Sequence, residues 1–375
     1  MPPSIISPED HIRAISLRDL LDPSQGSHAM QQVADSIVSL LASRWGCDRV
    51  LVRTDPVVDV VDNYDNLHYP VGGAARDARY TRYVTPSTLL RTQTSAMIPP
   101  TLRSWGGTIP NLSGDVLCVC PGLVYRRETI DKLHTGEPHQ MDLWRIREGA
   151  PLTTEHLREM VEMVVHAALP GAQYRCNPAT HPYTTDGLEI EVEVRGQYVE
   201  IGECGLALPA ILQEAGLDPA THSGLAMGLG MDRLLMLRKG IDDIRLLRST
   251  DPRVSRQMQD LNPYKVVSRQ PPIRRDLSIA VAVDTSPEEL GDRVREALGE
   301  DADSVEVVRV LTETSYEDMP QIARERIGMA VGQKNVLLEV GISHPSKTMT
   351  AQEGNGLRDR IYAALHEGSV SQWCQ

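Results

Sequence analysis

The chain has 375 residues, 41% of them apolar and 24% charged, and carries a formal net charge of −13. This length suits one large and one small domain or two of middle size. The charge argues against a protein that wraps nucleic acid over its whole surface, but not against a local basic patch.

Residues 1–24 read as an N-terminal arm whose start is polar and proline-bearing, with no basic stretch followed by an apolar run. Such a start predicts a cytoplasmic protein that is neither secreted nor membrane-inserted. Met30, Val33, Ile37, Leu40 and Leu41 then recur at helical spacing up to Trp45, which predicts an amphipathic helix. Valine-dense residues 48–61 predict extended chain, and polar residues 64–85, with Gly72-Gly73, a long loop. Residues 115–120 and 122–126 read as neighbouring strands joined at Pro121-Gly122. Residues 154–169 predict a helix with Glu155 in its first turn. Residues 188–194 alternate strictly, and 197–201 form the expected hairpin partner across Arg195-Gly196.

Residues 223–237 open as a glycine-punctuated extended segment and end as an apolar helix interrupted by Asp232-Arg233. A charge pair there is costly unless it is paired or bound to something. Residues 262–270 read as a linker. Beyond it come a strand (276–283), a helix (286–298), two strands (305–311 and 334–343) and a helix (355–365), the order of a small split-βαβ domain. The six cysteines, Cys47, Cys118, Cys120, Cys176, Cys204 and Cys374, show no C-x-x-C spacing and read as buried reduced thiols. Phenylalanine is absent and aromatics supply 4% of residues, so Leu, Val, Ile and Met must fill the core.

One polar stretch is poorly explained as core: Tyr125-Arg126-Arg127-Glu128, then His134, then His139-Gln140-Met141-Asp142. Two guanidiniums, a carboxylate, an imidazole and a further polar pair suit a site that holds ATP beside a small charged substrate, because a planar guanidinium matches phosphate oxygens bidentately. Glu189, Glu191 and Glu193 share one face of the 188–194 strand, either as a solvated face or as carboxylates lining a site.

Together with Gly228-Leu229-Gly230-Met231-Asp232-Arg233, this stretch resembles class II aminoacyl-tRNA synthetases, most closely the catalytic chain of the phenylalanyl-tRNA synthetase family in its single-chain organellar arrangement. Pro271-Pro272-Ile273-Arg274-Arg275-Asp276-Leu277-Ser278 and 345–353 resemble the opening and close of that arrangement's small terminal domain. The resemblance implies an α+β fold: a class II antiparallel-sheet catalytic domain over 25–261, the 262–270 linker, and a ferredoxin-like anticodon-binding-type domain over 271–375. It implies that Arg126 binds the ATP α-phosphate and the developing charge, that Glu128 holds the adenine amino group, and that His134 contacts the phosphates. Arg233 would clamp the γ-phosphate end, with Gly228 and Gly230 giving the nucleotide room. Gly26-Ser27-His28 resemble the first class II motif, a packing element more than a reactive one.

For the amino acid, the resemblance implies Gln93 and Ser95 from 90–95, with Gln93 where a histidine is usual. Gln140 and Asp142 stand where the α-ammonium is read, Asp142 one methylene shorter than the usual acid. Glu189, Glu191 and Glu200 are the candidate magnesium carboxylates. The main departure is at Asn177 and Ala179, where the family places two phenylalanines around the substrate ring; Ala226 keeps the small pocket-floor residue. An aromatic pair contributes about 0.5–1.5 kcal/mol beyond its buried area, so the expected substrate has a side chain larger or more polar than phenylalanine, or one held by different walls. Two activities follow on equal terms. One is activation of phenylalanine and its transfer to tRNA, with Arg269, Arg274, Arg275, Arg324, Arg326 and Lys347 as the RNA-facing cations. The other is a paralogue activating a different amino acid for tRNA, a carrier protein or a small amine. A non-catalytic RNA-binding descendant is the third reading. Monomer and homodimer both remain open.

Overall fold

The computed structural model describes residues 5–77, 79–110, 113–267 and 271–371; the expected Arg269 and Cys374 lie outside them. The chain divides into two compact units, one of Met1–Arg126, Glu137–Ile241 and Met258–Tyr264, the other of Arg127–Gly136, Asp242–Gln257 and Lys265–Gln375. The units therefore do not part at a single cut near 262–270, because the second takes in 127–136 and 242–257 as well.

The first unit opens with helix α1 (Pro8–Ile15) and helix α2 (Ala29–Trp45). His28 caps α2, its Nδ1 accepting from the Met30 amide at 3.2 Å, and Gly46 ends it at φ +62°, where a residue without Cβ is favoured. Met30, Val33, Ile37 and Leu41 are buried along its inner stripe, as their spacing predicts. Strand β1 (Asp48–Leu51) follows, then a short ladder of β2 (Val57–Asp59) with β3 (Thr88–Leu90). Helix α3 (Ile98–Ser104), strands β4 (Asp115–Leu123) and β5 (His139–Glu148), and helix α4 (Thr154–Ala168) come next. Strands β6 (Tyr174–Pro178), β7 (Thr184–Val194) and β8 (Gln197–Ala207), helix α5 (Pro209–Glu214), strand β9 (His222–Gly230) and helix α6 (Met231–Lys239) complete the unit's longer elements.

Among the described residues this unit carries a seven-stranded sheet in the order β1-β4-β5-β9-β8-β7-β6. β1 lies parallel to β4 and the other pairs are antiparallel. The β7–β8 hairpin turns at Arg195 (φ +53°) and Gly196 (φ +81°), two positive φ values in a two-residue loop, which suits the strand twist. β4 runs unbroken through Pro121-Gly122 rather than as two strands. The Val119 carbonyl accepts from Val52 beside β1, and by alternation Pro121 faces that same side. β1's register ends at Val119, so Pro121 has no ladder donor to lose there.

The second unit contains strand β10 (Ile273–Ala282), helix α7 (Pro287–Leu298), strand β11 (Val305–Ser315), helix α8 (Gln321–Ile327), strand β12 (Gln333–Ile342) and helix α9 (Ala351–Leu365). Its sheet, among the described residues, has three strands in the order β10-β12-β11, antiparallel throughout. The expected strand-helix-strand-strand-helix order holds except that helix α8 intervenes between β11 and β12, and capping boxes stand at Ser286/Glu289 and Thr350/Glu353. A closed four-stranded ferredoxin-like sheet is not present among the described residues. The edge of β10 is met instead by side chains past α9: the Ala280 amide donates to His366 Nδ1 at 3.1 Å and the Ala282 amide to the Glu367 carboxylate at 2.9 Å.

Segment 127–136 is built into this second unit. Ile130 is buried in its core with Leu277, Leu290 and Val340, and its carbonyl accepts from Val308 at 3.0 Å. Arg295 donates to the carbonyls of Glu128 and Thr129. A Cβ on Gly291 would come within 2.6 Å of the Glu128 carbonyl, so α7 needs a glycine there. No helix among the described residues is long and apolar enough to cross a membrane.

Candidate functional site

The sheet of the first unit sets the site by register. Asp142 on β5 stands opposite Gly228 on β9, Gly228 opposite Glu203 on β8, Glu203 opposite Glu189 on β7, and Glu189 opposite Asn177 on β6. Residues directly opposite project from one face, so these five form a transverse row. Two residues along β5, Gln140 stands opposite Gly230. Each of the two polar residues expected on β5 therefore faces a glycine, which leaves a trough above β9. Neither glycine is required by packing: a Cβ at Gly228 would meet nothing nearer than Asp142 Oδ1 at 3.5 Å, and one at Gly230 nothing nearer than the Ile201 carbonyl at 3.9 Å.

Asp142 is 2% exposed. Its Oδ1 accepts from Thr94 Oγ1 at 2.7 Å, and its Oδ2 from Ser95 Oγ at 2.7 Å and Trp144 Nε1 at 3.3 Å. An ionised carboxylate offers about four lone-pair sites, so among the described residues one remains, on Oδ1, the oxygen that faces the Gly228 side of the trough. Burial pushes the Asp142 carboxyl above its ordinary range, and the three donors and the Arg126 charge oppose that. Such a group is set to accept one further, cationic donor.

Arg126 acts through its charge on Asp142 and, with Arg233 and His181 respectively, on Glu200 and Glu203. Its Nε donates to the Thr92 carbonyl at 2.7 Å, which fixes the guanidinium plane. Its two terminal amino groups make no hydrogen bond to a described residue, so the fork stays available to an anion. Arg233, in the first turn of α6, donates to the Glu200 carbonyl at 2.9 Å. Its neighbour Asp232 is buried, and its oxygens take the His139 amide and His139 Nδ1 (3.0 Å), while His139 Nε2 accepts from the Leu20 amide at 3.0 Å. The Leu20 donor assigns the neutral tautomer with hydrogen on Nδ1. His139-Asp232 thus answers the expected cost of a charge in an apolar helix, and both residues serve structure.

Gln93 is 7% exposed and committed on both sides, donating to the Asn63 carbonyl at 3.0 Å and accepting from Tyr69 Oη at 2.8 Å. It therefore positions Tyr69. Ser95 binds Asp142, as above. Ala226 stands opposite Trp144 and is buried with it in one core cluster, not at an open pocket floor. Asn177 donates to Glu191 Oε2 at 2.7 Å and lies four strands from Asp142, about 19 Å at roughly 4.8 Å per strand. Ala179 closes a loop through its amide to the Gly187 carbonyl at 2.9 Å.

That loop brings in rings with no signal in the local sequence. Tyr183 lies 5.9 Å from Trp144, stacked, 6.2 Å from Tyr69 and 6.1 Å from His181, centroid to centroid. Its phenol lies beside Ser95 and is pushed well above the ordinary tyrosine range by burial; Tyr69 is pushed up to about 12 for the same reason. His181 Nε2 reaches Glu203 Oε2 at 3.0 Å.

Of the other residues expected around ATP, Glu128 and His134 belong to the second unit. There the Glu128 carboxylate accepts from the Thr129 amide at 3.2 Å, and His134 Nδ1 lies 2.8 Å from Asp131. Of the three magnesium candidates, Glu191 is held by Arg175 and Asn177 and stands opposite Glu200. Burial raises the Glu200 carboxyl, Glu203 and Glu189 add to the rise, and Arg233 and Arg126 oppose it. No group of three or more His, Cys, Asp or Glu side chains among the described residues could by itself hold a metal ion.

Comparison with known proteins adds family evidence. The family model described as tRNA synthetases class II core domain (F) matches residues 15–258. A phenylalanine–tRNA ligase alpha subunit from Prochlorococcus marinus (strain MIT 9313) is 38% identical over 195 residues, covering 52% of this chain and 56% of the relative. The alpha subunit from Limosilactobacillus reuteri (strain DSM 20016) is 32% identical over 243 residues, covering 61% and 67%. The chain thus spans little more than half the length of the first of these relatives. Among solved structures, pyrrolysyl-tRNA synthetase from Desulfitobacterium hafniense shares 16% identity at a TM-score of 0.46, covering 64% of this chain and 78% of that one.

Proposed function

Because the chain belongs to the class II tRNA synthetase core family, we propose that it activates an amino acid with ATP, forming an aminoacyl-adenylate and releasing pyrophosphate. The observation that carries this reading is the single open acceptor site on Asp142 Oδ1, aimed over Gly228 and lying within the field of Arg126. An α-ammonium fills the first and a carboxylate or phosphate the second.

The trough above Gly228 and Gly230 and the open fork of Arg126 suit a nucleotide. Arg126 would hold the α-phosphate and Arg233 the γ-phosphate end; bound ATP supplies the electrophilic phosphorus and the pyrophosphate leaving group. The chain's own part is alignment and charge. Asp142 holds the ammonium so that the substrate carboxylate faces Arg126, and the guanidinium, already oriented by Thr92, meets the negative charge that grows in the transition state. No side chain has to act as a nucleophile. Magnesium would ride on the phosphates with one or two carboxylates at most, and Glu200, raised by burial and its acidic neighbours, is the one this donor set offers.

The acyl acceptor proposed is tRNA, with the second unit (271–375 in its main part) as the anticodon-side domain. A carrier protein or small amine is the second reading. It is favoured by Arg274 being paired with Glu339 at 2.7 Å and Arg275 with Asn355 at 3.0 Å, which leaves two of the expected RNA-facing cations engaged. Incubation with ATP, the activated amino acid and bulk tRNA separates the two: acid-stable acylation of RNA supports the first, and adenylate formation without it supports the second.

A further inference from the structure

We propose that the site takes an amino acid whose side chain ends in a cation, of the lysine or ornithine kind, and that Glu203 is the carboxylate that receives this second charge. The inference rests on the activation reading above and concerns the next charged group along the row that Asp142 begins. Asp142 on β5 and Glu203 on β8 each stand opposite Gly228. Their columns therefore lie two strand spacings apart, about 9.6 Å, and the glycine between them puts no side chain in the way.

The two carboxylates open on one space. The Arg126 charge bears on both, and the phenols of Tyr69 and Tyr183 each feel both. Glu203 is held at one oxygen only. Its Oε2 meets His181 Nε2 at 3.0 Å, and Thr184 Oγ1 lies 3.1 Å from Nδ1 on the far side of that imidazole. The His181 side chain is 8% exposed and that of Glu203 44%, so the imidazole is the buried support and the carboxylate the open end. His181 beside it, with the Arg126 charge, holds the Glu203 carboxyl below its ordinary range against burial, which keeps it an anion. Glu189, directly opposite on β7, projects from the same face. Like charges so placed are destabilising, a cost that a cation between them removes.

Charge balance selects the ligand. Asp142 and Glu203 against Arg126 leave one negative charge in excess. A zwitterion with an apolar side chain brings one charge of each sign and leaves that excess in place, whereas a cationic side chain cancels it. With the α-ammonium on Asp142 Oδ1, a side chain of three or four methylenes carries its own ammonium across Gly228 to Glu203, with a hydrogen bond of about 2.9 Å at each end.

The test is ATP–pyrophosphate exchange by the full chain with lysine, ornithine and arginine against norleucine, glutamine, leucine and phenylalanine. Norleucine is lysine without its terminal ammonium, so that pair isolates the second charge. The leading substrate should be one of the first three, and lysine should exceed norleucine roughly 10- to 150-fold in kcat/KM, the worth of one hydrogen bond to a charged group. Glu203→Gln should lower the lysine-to-norleucine ratio at least about tenfold, and Glu203→Ala should move it the same way. A ratio measured within one variant does not depend on the fraction folded. Preference of the unmodified chain for phenylalanine or any other amino acid without a cationic side chain overturns the inference and leaves activation standing, as does an unchanged ratio in both variants. Absence of exchange with every amino acid overturns the activation reading and this inference together.

Discussion

Asp142→Asn separates recognition from folding at the centre of the site. Trp144 Nε1 can only donate, so the new amide must turn its oxygen toward Trp144 and Ser95 and its nitrogen toward Thr94, whose hydroxyl rotates to accept. All three bonds to Thr94, Ser95 and Trp144 survive, but the acceptor site over Gly228 becomes an N–H. A hydrogen bond to a charged group contributes about 1.5–3 kcal/mol, and about 1.36 kcal/mol is tenfold. Amino-acid-dependent exchange should therefore fall about 10- to 150-fold, mainly through KM for the amino acid. The stability change has the opposite tendency. Burial raises the Asp142 carboxyl above 3.8, so the folded state holds its proton to higher pH than the unfolded state does. Ionising it costs stability that is intact below about pH 3.8 and lost as pH rises through the folded value. The variant should be at least as stable as the parent at pH 7, with the difference closing in acid. Thermal melts across pH and exchange kinetics at saturating ATP read both. An unchanged KM for the amino acid, or a variant that is markedly less stable at pH 7, would refute the reasoning.

Arg126→Ala should lower exchange by about 10²–10³, the cost of one transition-state charge donor, with little change in melting temperature because its one bond to a described residue is to the Thr92 carbonyl; near-normal exchange would remove it from the chemistry. Gly228→Val should abolish exchange while leaving the fold intact, since a Cβ there has 3.5 Å of clearance; circular dichroism and exchange together check this. His139→Ala takes a partner from both Asp232 and the Leu20 amide and should destabilise by about 3 kcal/mol, seen as a lower urea midpoint. The thiols of Cys47, pushed up by burial to about 11, and of Cys118 and Cys204, pushed to about 12, should resist iodoacetamide at pH 8 in the native chain and react once it is unfolded.

How much could be read in advance depended on the range of the interaction. Helix α2 and the β7–β8 hairpin were legible because burial every three to four residues and an alternating run ending at Arg195-Gly196 are local signals. The polar stretch around Arg126 and Asp142 was legible because its residue types are poor core material. Pro121 misled because its missing N–H matters only where a neighbouring strand reaches it, and β1 stops short. Asn177 was expected beside the substrate, yet register over four strands sets it far from Asp142, and no local pattern encodes that count. The ring cluster at Tyr183 joins residues 69, 144, 181 and 183 through the loop closed at Ala179-Gly187. Segment 127–136 likewise finds its core partners more than a hundred residues downstream, in β10, α7 and β12.

The most direct test of the central claim is ATP–pyrophosphate exchange with an equimolar mixture of the proteinogenic amino acids, magnesium and no acyl acceptor, run beside Arg126→Ala. Label should enter ATP only when amino acids are present, and the variant should lose that incorporation. Incorporation that is absent with the whole mixture, or that persists unchanged in Arg126→Ala, would contradict the account.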